Sequence, residues 1–518
     1  MFKFIRQKIF AALILCLMLV LLPSADASEL IIFHTNDQHA RVAPADDNGT
    51  TIGLAWFAAA VNNTKAQNPD TFWFDAGDTF HGTPRINIST GMNMVELMNA
   101  AGVEVSVPGN HDFNYGSKRL ETLAKNFKGV ELAANVVRRN SQKLVFKPYK
   151  IFKMSDGTKV GVIGLTTPEC AYKTALTNVA TIDFLDPIVQ AKMMITKLRP
   201  KVDVIVCVMH MGLDDSSEFT SERIARETDG IDIIIDGHSH TELPEGLTVG
   251  KTLIAQTGCH GHYLGCVAVD IDHHRITSKS ARLLDDSEVK AIAGKPDPVV
   301  ETKLADIEAR NQKIFGEVVA TAERRLTGDR SVVRCGESEF GNLVADSFRW
   351  KTHADIAIIN GGDIRTDLPS GSITRGELLS IFPFSNYVQV REIRGEAIRA
   401  MLEHSVFAYP TEFGGFMNVS GMTFEFDPTA PRGERVGEIF VGNNRLENTA
   451  TYTIATTDFA FTGGDGFDML ADLKLLGQYD LVEDIVAEYL NKVGMPNIGL
   501  GRIKLLNDAT SAEHKEAA

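Results

Sequence analysis

The chain has 518 residues, 44% of them hydrophobic and 23% charged, enough for two or three domains with full cores. Its formal net charge of −15 argues against duplex nucleic acid or anionic membrane as a partner. An acidic protein that handles anionic substrates must concentrate positive charge locally, as arginines or as metal ions.

In chain order, residues 1–27 read as a signal peptide. Lys3, Arg6 and Lys8 precede an unbroken apolar run over 9–22, Pro23 follows it, and Ala25-Asp26-Ala27 offers an A-x-A cleavage site before Ser28. The run is short for a bilayer span, so the expectation is an exported chain, periplasmic or secreted, monomeric and without a stable membrane anchor. Beyond this segment stand Cys170, Cys207, Cys259, Cys266 and Cys335. Cys259 and Cys266, in GCHGHYLGC, either form one disulfide or are small buried residues.

The next stretch alternates short apolar runs with helical patterns. LIIFHT, TFWFDA, VEVSV, KVGVIGL, VDVIVCVM and IDIIID are rich in β-branched residues and mostly apolar on both faces, with helix candidates over 53–66 and 92–101 between them. This predicts buried strands of a layered α/β domain over 28–290. Past residue 285 the sequence becomes charged, and Val300, Leu304 and Ile307 fall on one helical face behind Pro296 and Pro298. A linker helix over 298–315 is expected, within a linker and hinge region at 291–325. Residues 326–508 read as a second α/β unit and 509–518 as a polar tail.

Five of the strands end in polar side chains. LIIFHTNDQHAR places Asp37 and His39 past a strand, TFWFDAGDTF places Asp78, and VEVSVPGNHD places Asn110 and His111. VDVIVCVMHMG ends in His210, and IDIIIDGHSHT in His238 and His240. The carboxyl ends of strands are where α/β sheets bind ligands. Two carboxylates, several imidazoles and one amide oxygen make a mixed N/O set that suits Zn, Mn, Fe or Co, and not calcium or thiolate chemistry. A carboxylate can bridge two such ions about 3.5–4 Å apart and hold a water between them as hydroxide. One Asp-x-His alone is a weak signal, and His34, His81, His260 and His262 are read as structural. Five motifs in order at strand ends point to a metal pair.

In the second unit, Arg334 and Arg365 are either phosphate clamps or ordinary surface arginines. Asn360 and Arg365 lie at a loop mouth, because NGGDIR follows an apolar strand. Phe416 and Phe459 are either core or, on glycine-rich loops, faces for a planar base, and Asp465 can accept from hydroxyls.

DQH, GD, GNHD, HMG and GHSH resemble the motif series of the calcineurin-type metallophosphoesterases. With the second half included, the chain resembles the exported 5′-nucleotidase family over nearly all of its length past the signal segment. The resemblance implies an N-terminal four-layer αββα sandwich, a linker helix and a C-terminal α/β nucleotide-binding domain. It implies one divalent ion on Asp37, His39, Asp78 and His240 and a second on Asp78, Asn110, His210 and His238, with Asp78 bridging. His111 matches the histidine that lies beside the phosphate in relatives, where a cationic imidazole stabilises charge. Phe416 and Phe459 match residues that stack on the base. Asn360, Arg334, Arg365 and Asp465 match residues that contact base, phosphate or ribose.

One position departs. Many relatives pair the GNH histidine with an aspartate, whereas GNHDFNYG has Asn114 there. Relatives that hydrolyse 2′,3′-cyclic nucleotides commonly carry Asn, yet NGGDIR follows the 5′-nucleotidase form. The expected activity is therefore hydrolysis of nucleoside 5′-phosphates by a metal-bound hydroxide. The alternatives are a 2′,3′-cyclic phosphodiesterase with 3′-nucleotidase activity, a nucleotide-sugar or dinucleotide pyrophosphatase, or a non-catalytic nucleotide-binding surface protein. Because a site split between two units implies relative motion, a hinge is expected at 317–325. An amide cannot stabilise an imidazolium as a carboxylate does. Asn114→Asp is therefore expected to move the pH–rate profile upward, and an unchanged profile would count against that role for Asn114.

Overall fold

The computed structural model describes residues 27–507 except 45, 47, 48, 172, 175, 215, 216, 385, 496 and 497. The signal segment to residue 26 and the polar tail lie outside the described residues. Two six-stranded sheets dominate the first unit. In the first, strands Ala27–Thr35, Thr71–Asp75, Val105–Ser106 and Val130–Glu131 run parallel, with Leu264–Asp272 and Arg275–Leu284 added antiparallel beside Ala27–Thr35. In the second, Lys159–Thr166, Val204–His210, Ile233–Ile235 and Thr252–Ala255 run parallel between two antiparallel edge strands.

The strand period of two explains why these runs are apolar throughout. Val204, Val206 and Val208 point to one face and meet Leu30, Ile32, Phe74 and Val105 of the opposite sheet. Ile205, Cys207 and Met209 point to the other and lie beneath helix Pro187–Leu198. Phe33 and Trp73 likewise turn outward beneath helices Leu54–Gln67 and Met92–Ala101. The result is the four-layer αββα sandwich that the resemblance implied.

Helix Pro298–Phe315 starts on Asp297, whose carboxylate accepts from the Val299 and Val300 N–H groups, with Pro298 in the first turn. It does not hang free between units. Val300 and Ile307 are buried in the core of the first unit, Asn311 Nδ2 donates to Arg85 O at 2.9 Å, and Arg310 pairs with Glu96. The second unit follows, built on a five-stranded sheet in the order Met417–Ser420, Ile356–Asn360, Thr451–Thr457, Tyr387–Arg394, Leu475–Leu481. Helices Glu339–Thr352 and Val482–Val493 cover one face, and Gly395–Val406 the other.

Glu483 opens the last of the helices covering the first face and is 4% exposed, with neither carboxylate oxygen hydrogen-bonded. Burial pushes its pKa up to about 8. The fold thus binds this proton more tightly than the unfolded chain does, so the group's stabilisation is full at low pH and is lost as pH rises through about 8. Glu483→Gln should flatten that loss and gain on the order of 1–3 kcal/mol over wild type in alkaline buffer. Denaturant midpoints measured across pH check this, and a variant that gains nothing at alkaline pH contradicts it.

Candidate active site

Register brings the metal-directed loops together. Thr35, Asp75 and Ser106 are partners across three parallel strands, so the loops carrying Asp37, Asp78 and Asn110 leave the sheet side by side. On the facing sheet His210 ends its strand, and His238 and His240 follow Ile233–Ile235. Asp37, His39, Asp78, His238 and His240 all have positive φ, between 44° and 79°. Such backbone costs on the order of 1–3 kcal/mol per residue and persists only where its surroundings enforce it.

The enforcement is visible at Asp112. Its buried carboxylate accepts from the backbone N–H groups of Asp78 and Thr79 at 2.9 Å and of Phe80 and Gly109 at 2.8 Å. Gly109 has to be glycine, because a Cβ there would lie 2.1 Å from Asp78 Oδ1. Asp236 accepts from Met211 and Gly212 and fixes the turn after His210.

All seven metal-directed side chains converge. His210 Nε2 lies 3.2 Å from Asp78 Oδ2 and 3.9 Å from Asp37 Oδ1. His240 Nε2 lies 3.4 Å from Asp37 Oδ1 and 3.1 Å from His39 Nε2. His238 Nδ1 lies 2.9 Å from Asn110 Oδ1, and its ring centroid is 5.1 Å from that of His210. The atom common to two ligand groupings is Asp37 Oδ1, where the resemblance gives the bridge to Asp78. The reason is local: Asp78 Oδ1 accepts from the His111 N–H at 2.7 Å, so only Oδ2 faces His210.

These residues fit divalent cations. Asp37 Oδ1 and His210 Nε2 are buried without any hydrogen-bond partner, an arrangement that costs free energy unless something positive is coordinated. Burial opposes charge on His210, yet Asp78 and Asp37 outweigh it and raise its pKa to about 10. A bound cation would take the place of that proton.

His238 is also oriented from behind. Its Nε2 lies 2.9 Å from Glu169 Oε2 and 3.1 Å from Lys173 Nζ. Burial would raise Glu169, but the hydrogen bonds from His238 and Lys173 hold it well below the usual carboxylate range. His111 presents its Nδ1 3.0 Å from Asn114 Nδ2 and lines the cavity above the ligands. Burial holds His111 below its ordinary pKa, with Asp78 pulling the other way.

That cavity, about 770 Å³, is shared by both units: Phe384, Tyr387, Gln389, Arg391 and Phe459 wall it opposite the imidazoles. Phe459, 38% exposed, offers an open face. Phe416 does not. It is 1% exposed and packs among Ile356, Met401 and Phe467, so the expected stacking ring is a core residue here. Asn360 Nδ2 bonds Asp465 Oδ2 at 3.1 Å, and Arg365 lies 5.5 Å over the Phe384 ring. Arg334 Nε is buried without a partner, with Arg365 and Asp465 close enough to influence its charge. Arg334, Asn360, Arg365 and Asp465 thus sit together but do not line the cavity over the imidazoles.

Two histidines read as structural are placed otherwise: His81 and His260 line the cavity, and His81 Nε2 is hydrogen-bonded to the Tyr387 hydroxyl. Cys259 and Cys266 are both free, so no disulfide joins them, and neither is fully buried. Cys266 sits in a strand opposite Phe33, while Cys259 lies beside His240 and His260.

A family model described as calcineurin-like phosphoesterase matches residues 30–242, and one described as 5′-nucleotidase, C-terminal domain, matches residues 318–472. The chain thus combines a calcineurin-like phosphoesterase match in its first unit with a 5′-nucleotidase C-terminal match in its second. It is 26% identical over 540 residues to the 5′-nucleotidase of Rattus norvegicus, covering 93% of this chain and 91% of that protein. It is 28% identical over 529 residues to the trifunctional nucleotide phosphoesterase protein YfkN of Bacillus subtilis, covering 92% of this chain and 35% of that one. The solved structure of a 5′-nucleotidase precursor from Thermus thermophilus is 29% identical, with a TM-score of 0.56 over 93% of this chain and 100% of that chain. With both matches in one chain, the protein is a metal-dependent phosphoester hydrolase.

Sequence reasoning missed Glu169, Thr174, Asp112 and Tyr387 in this site. One signal was present: KVGVIGLT is a buried strand of the second sheet, and TTPEC follows its end as the other motifs follow theirs. Glu169→Gln removes the acid behind His238 and is expected to weaken binding of one of two ions by about 10–100-fold. Metal titration of the apo-protein reads this, and two unchanged affinities would contradict it.

Proposed function

We propose that the protein is an exported dimetal 5′-nucleotidase that hydrolyses nucleoside 5′-phosphates to nucleoside and phosphate. The observation that carries this reading is one cavity with a carboxylate–imidazole cluster on one wall and an exposed aromatic ring, Phe459, on the other. Asp37, His39, Asp78 and His240 would hold one divalent ion, and Asp78, Asn110, His210 and His238 the other, chosen from Zn, Mn, Co or Fe. When bound, the ions supply Lewis-acid charge and a nucleophile at neutral pH.

The chain's own residues do the rest. Asp112 and Gly109 hold the ligand loops, so the site needs little reorganisation when phosphate enters. His111 offers a ring nitrogen to the phosphate oxygens, and Asn114 fixes the plane of that ring. Phe459 stacks on the base, while Arg334, Asn360, Arg365 and Asp465 form a polar set for ribose and phosphate. In this reading 28–290 is the metal domain, 291–325 the linker and hinge, and 326–508 the substrate domain. The arginine and amide set lies outside the cavity over the imidazoles, which supports a motion that brings it over the metals. The signal pattern over 1–27 supports export.

A second reading is favoured by Asn114 and by the likeness to a trifunctional nucleotide phosphoesterase: hydrolysis of 2′,3′-cyclic nucleotides and 3′-phosphates. A phosphate-release panel separates the two. With added Mn or Zn, AMP is expected to turn over fastest among AMP, 3′-AMP, 2′,3′-cyclic AMP, ADP, UDP-glucose and NAD. Chelation should lower the rate by about 100-fold or more, reversibly. Fastest turnover of the cyclic substrate would establish the second reading, and no release from any substrate would overturn both.

A further inference from the structure

Asn114 is the centre of a small buried network. Thr174, 1% exposed, donates its hydroxyl to Asn114 Oδ1 at 3.0 Å. Asn114 Nδ2 lies 3.0 Å from His111 Nδ1. The Tyr387 hydroxyl, which meets His81 Nε2, lies close enough to this side chain to be influenced by it. Asn178 Nδ2 donates to the Asn114 carbonyl at 2.7 Å and fixes the backbone.

We propose that Thr174 is a positioning residue: acting through Asn114, it holds His111 as the Nε2–H tautomer, so that a neutral imidazole N–H is what faces the cavity. This rests on the reading of His111 as the residue beside the phosphate.

Counting hydrogens gives the direction. An amide nitrogen carries two protons and no lone pair, and an amide oxygen only accepts. In the arrangement seen, an Asn114 N–H points at His111 Nδ1 and the oxygen takes the Thr174 proton. With the amide turned over, its oxygen would face His111 Nδ1 and require a proton there, and Thr174 would have to accept rather than donate. A ring nitrogen that accepts from an amide carries no proton, so in neutral His111 the proton sits on Nε2. An aspartate at 114 would reverse this, because a carboxylate can only accept and would demand Nδ1–H. Asn at 114 and a donor at 174 therefore act as one unit. The fold builds it from two places: the segment past strand Lys159–Thr166, which also carries Glu169 to His238, and the GNHD turn.

Nitrogen NMR of the full chain, labelled with 15N-histidine and loaded with zinc, tests this directly, with His111 assigned by the signals lost in His111→Asn. The expected result is a protonated Nε2 and a bare Nδ1, and a protonated Nδ1 overturns the proposal. Thr174→Val should raise the Nδ1–H population and lower kcat on AMP about tenfold, with KM changed less than about twofold. Thr174→Ser, which keeps the donor, should restore both. A Val variant whose His111 nitrogens match wild type overturns the role of Thr174. The spectrum is read without turnover. A His111→Asn enzyme with undiminished kcat would therefore refute the phosphate-side reading separately from the tautomer.

Discussion

Two buried carboxylates, Asp37 and Asp78, stand at the flush ends of neighbouring parallel strands with imidazoles aimed at them from the opposite sheet. Nearly every unusual feature nearby follows from that arrangement. Left-handed backbone at five metal-directed residues is tolerated because Asp112, Asp236 and the glycines hold the loops from beneath. Unpartnered atoms at Asp37 and His210 would be a defect in an ordinary core. Beside paired carboxylates they are open coordination positions. The sandwich supplies the rigidity, since both faces of its central strands are buried.

The second unit is more than a neighbour. The strand Tyr387–Arg394 sends Tyr387 against His81 and Asn114, so the C-terminal unit touches the support of His111 directly. Helix Pro298–Phe315 is anchored on the first unit through Val300, Ile307 and Asn311. Any change in the relation between units must therefore arise past that helix.

The layered strands were legible in the sequence because both their faces are apolar, and the convergence of the metal-directed side chains because each follows such a strand within a few residues. Thr174 was not legible, and Glu169 was marked only by its place past a strand end, because their partners Asn114 and His238 are 60 and 69 positions away. His81 was read as structural because its partner Tyr387 is 306 positions distant. Phe416 stayed open between core and stacking face because a glycine-rich flank says nothing about which side of the following strand a ring will take. Its burial comes from helix Gly395–Val406 on that face of the sheet. The free cysteines show the same limit, for spacing in sequence does not place Cys266 in a strand and Cys259 beside His240.

The central claim is that side chains from both sheets hold a pair of cations. Anomalous scattering from crystals grown with zinc or manganese, collected at the metal edge, measures this most directly. The account predicts two peaks about 3.5–4 Å apart, within coordinating distance of Asp37, Asp78 and His210. A single peak, or peaks only away from these residues, would contradict it.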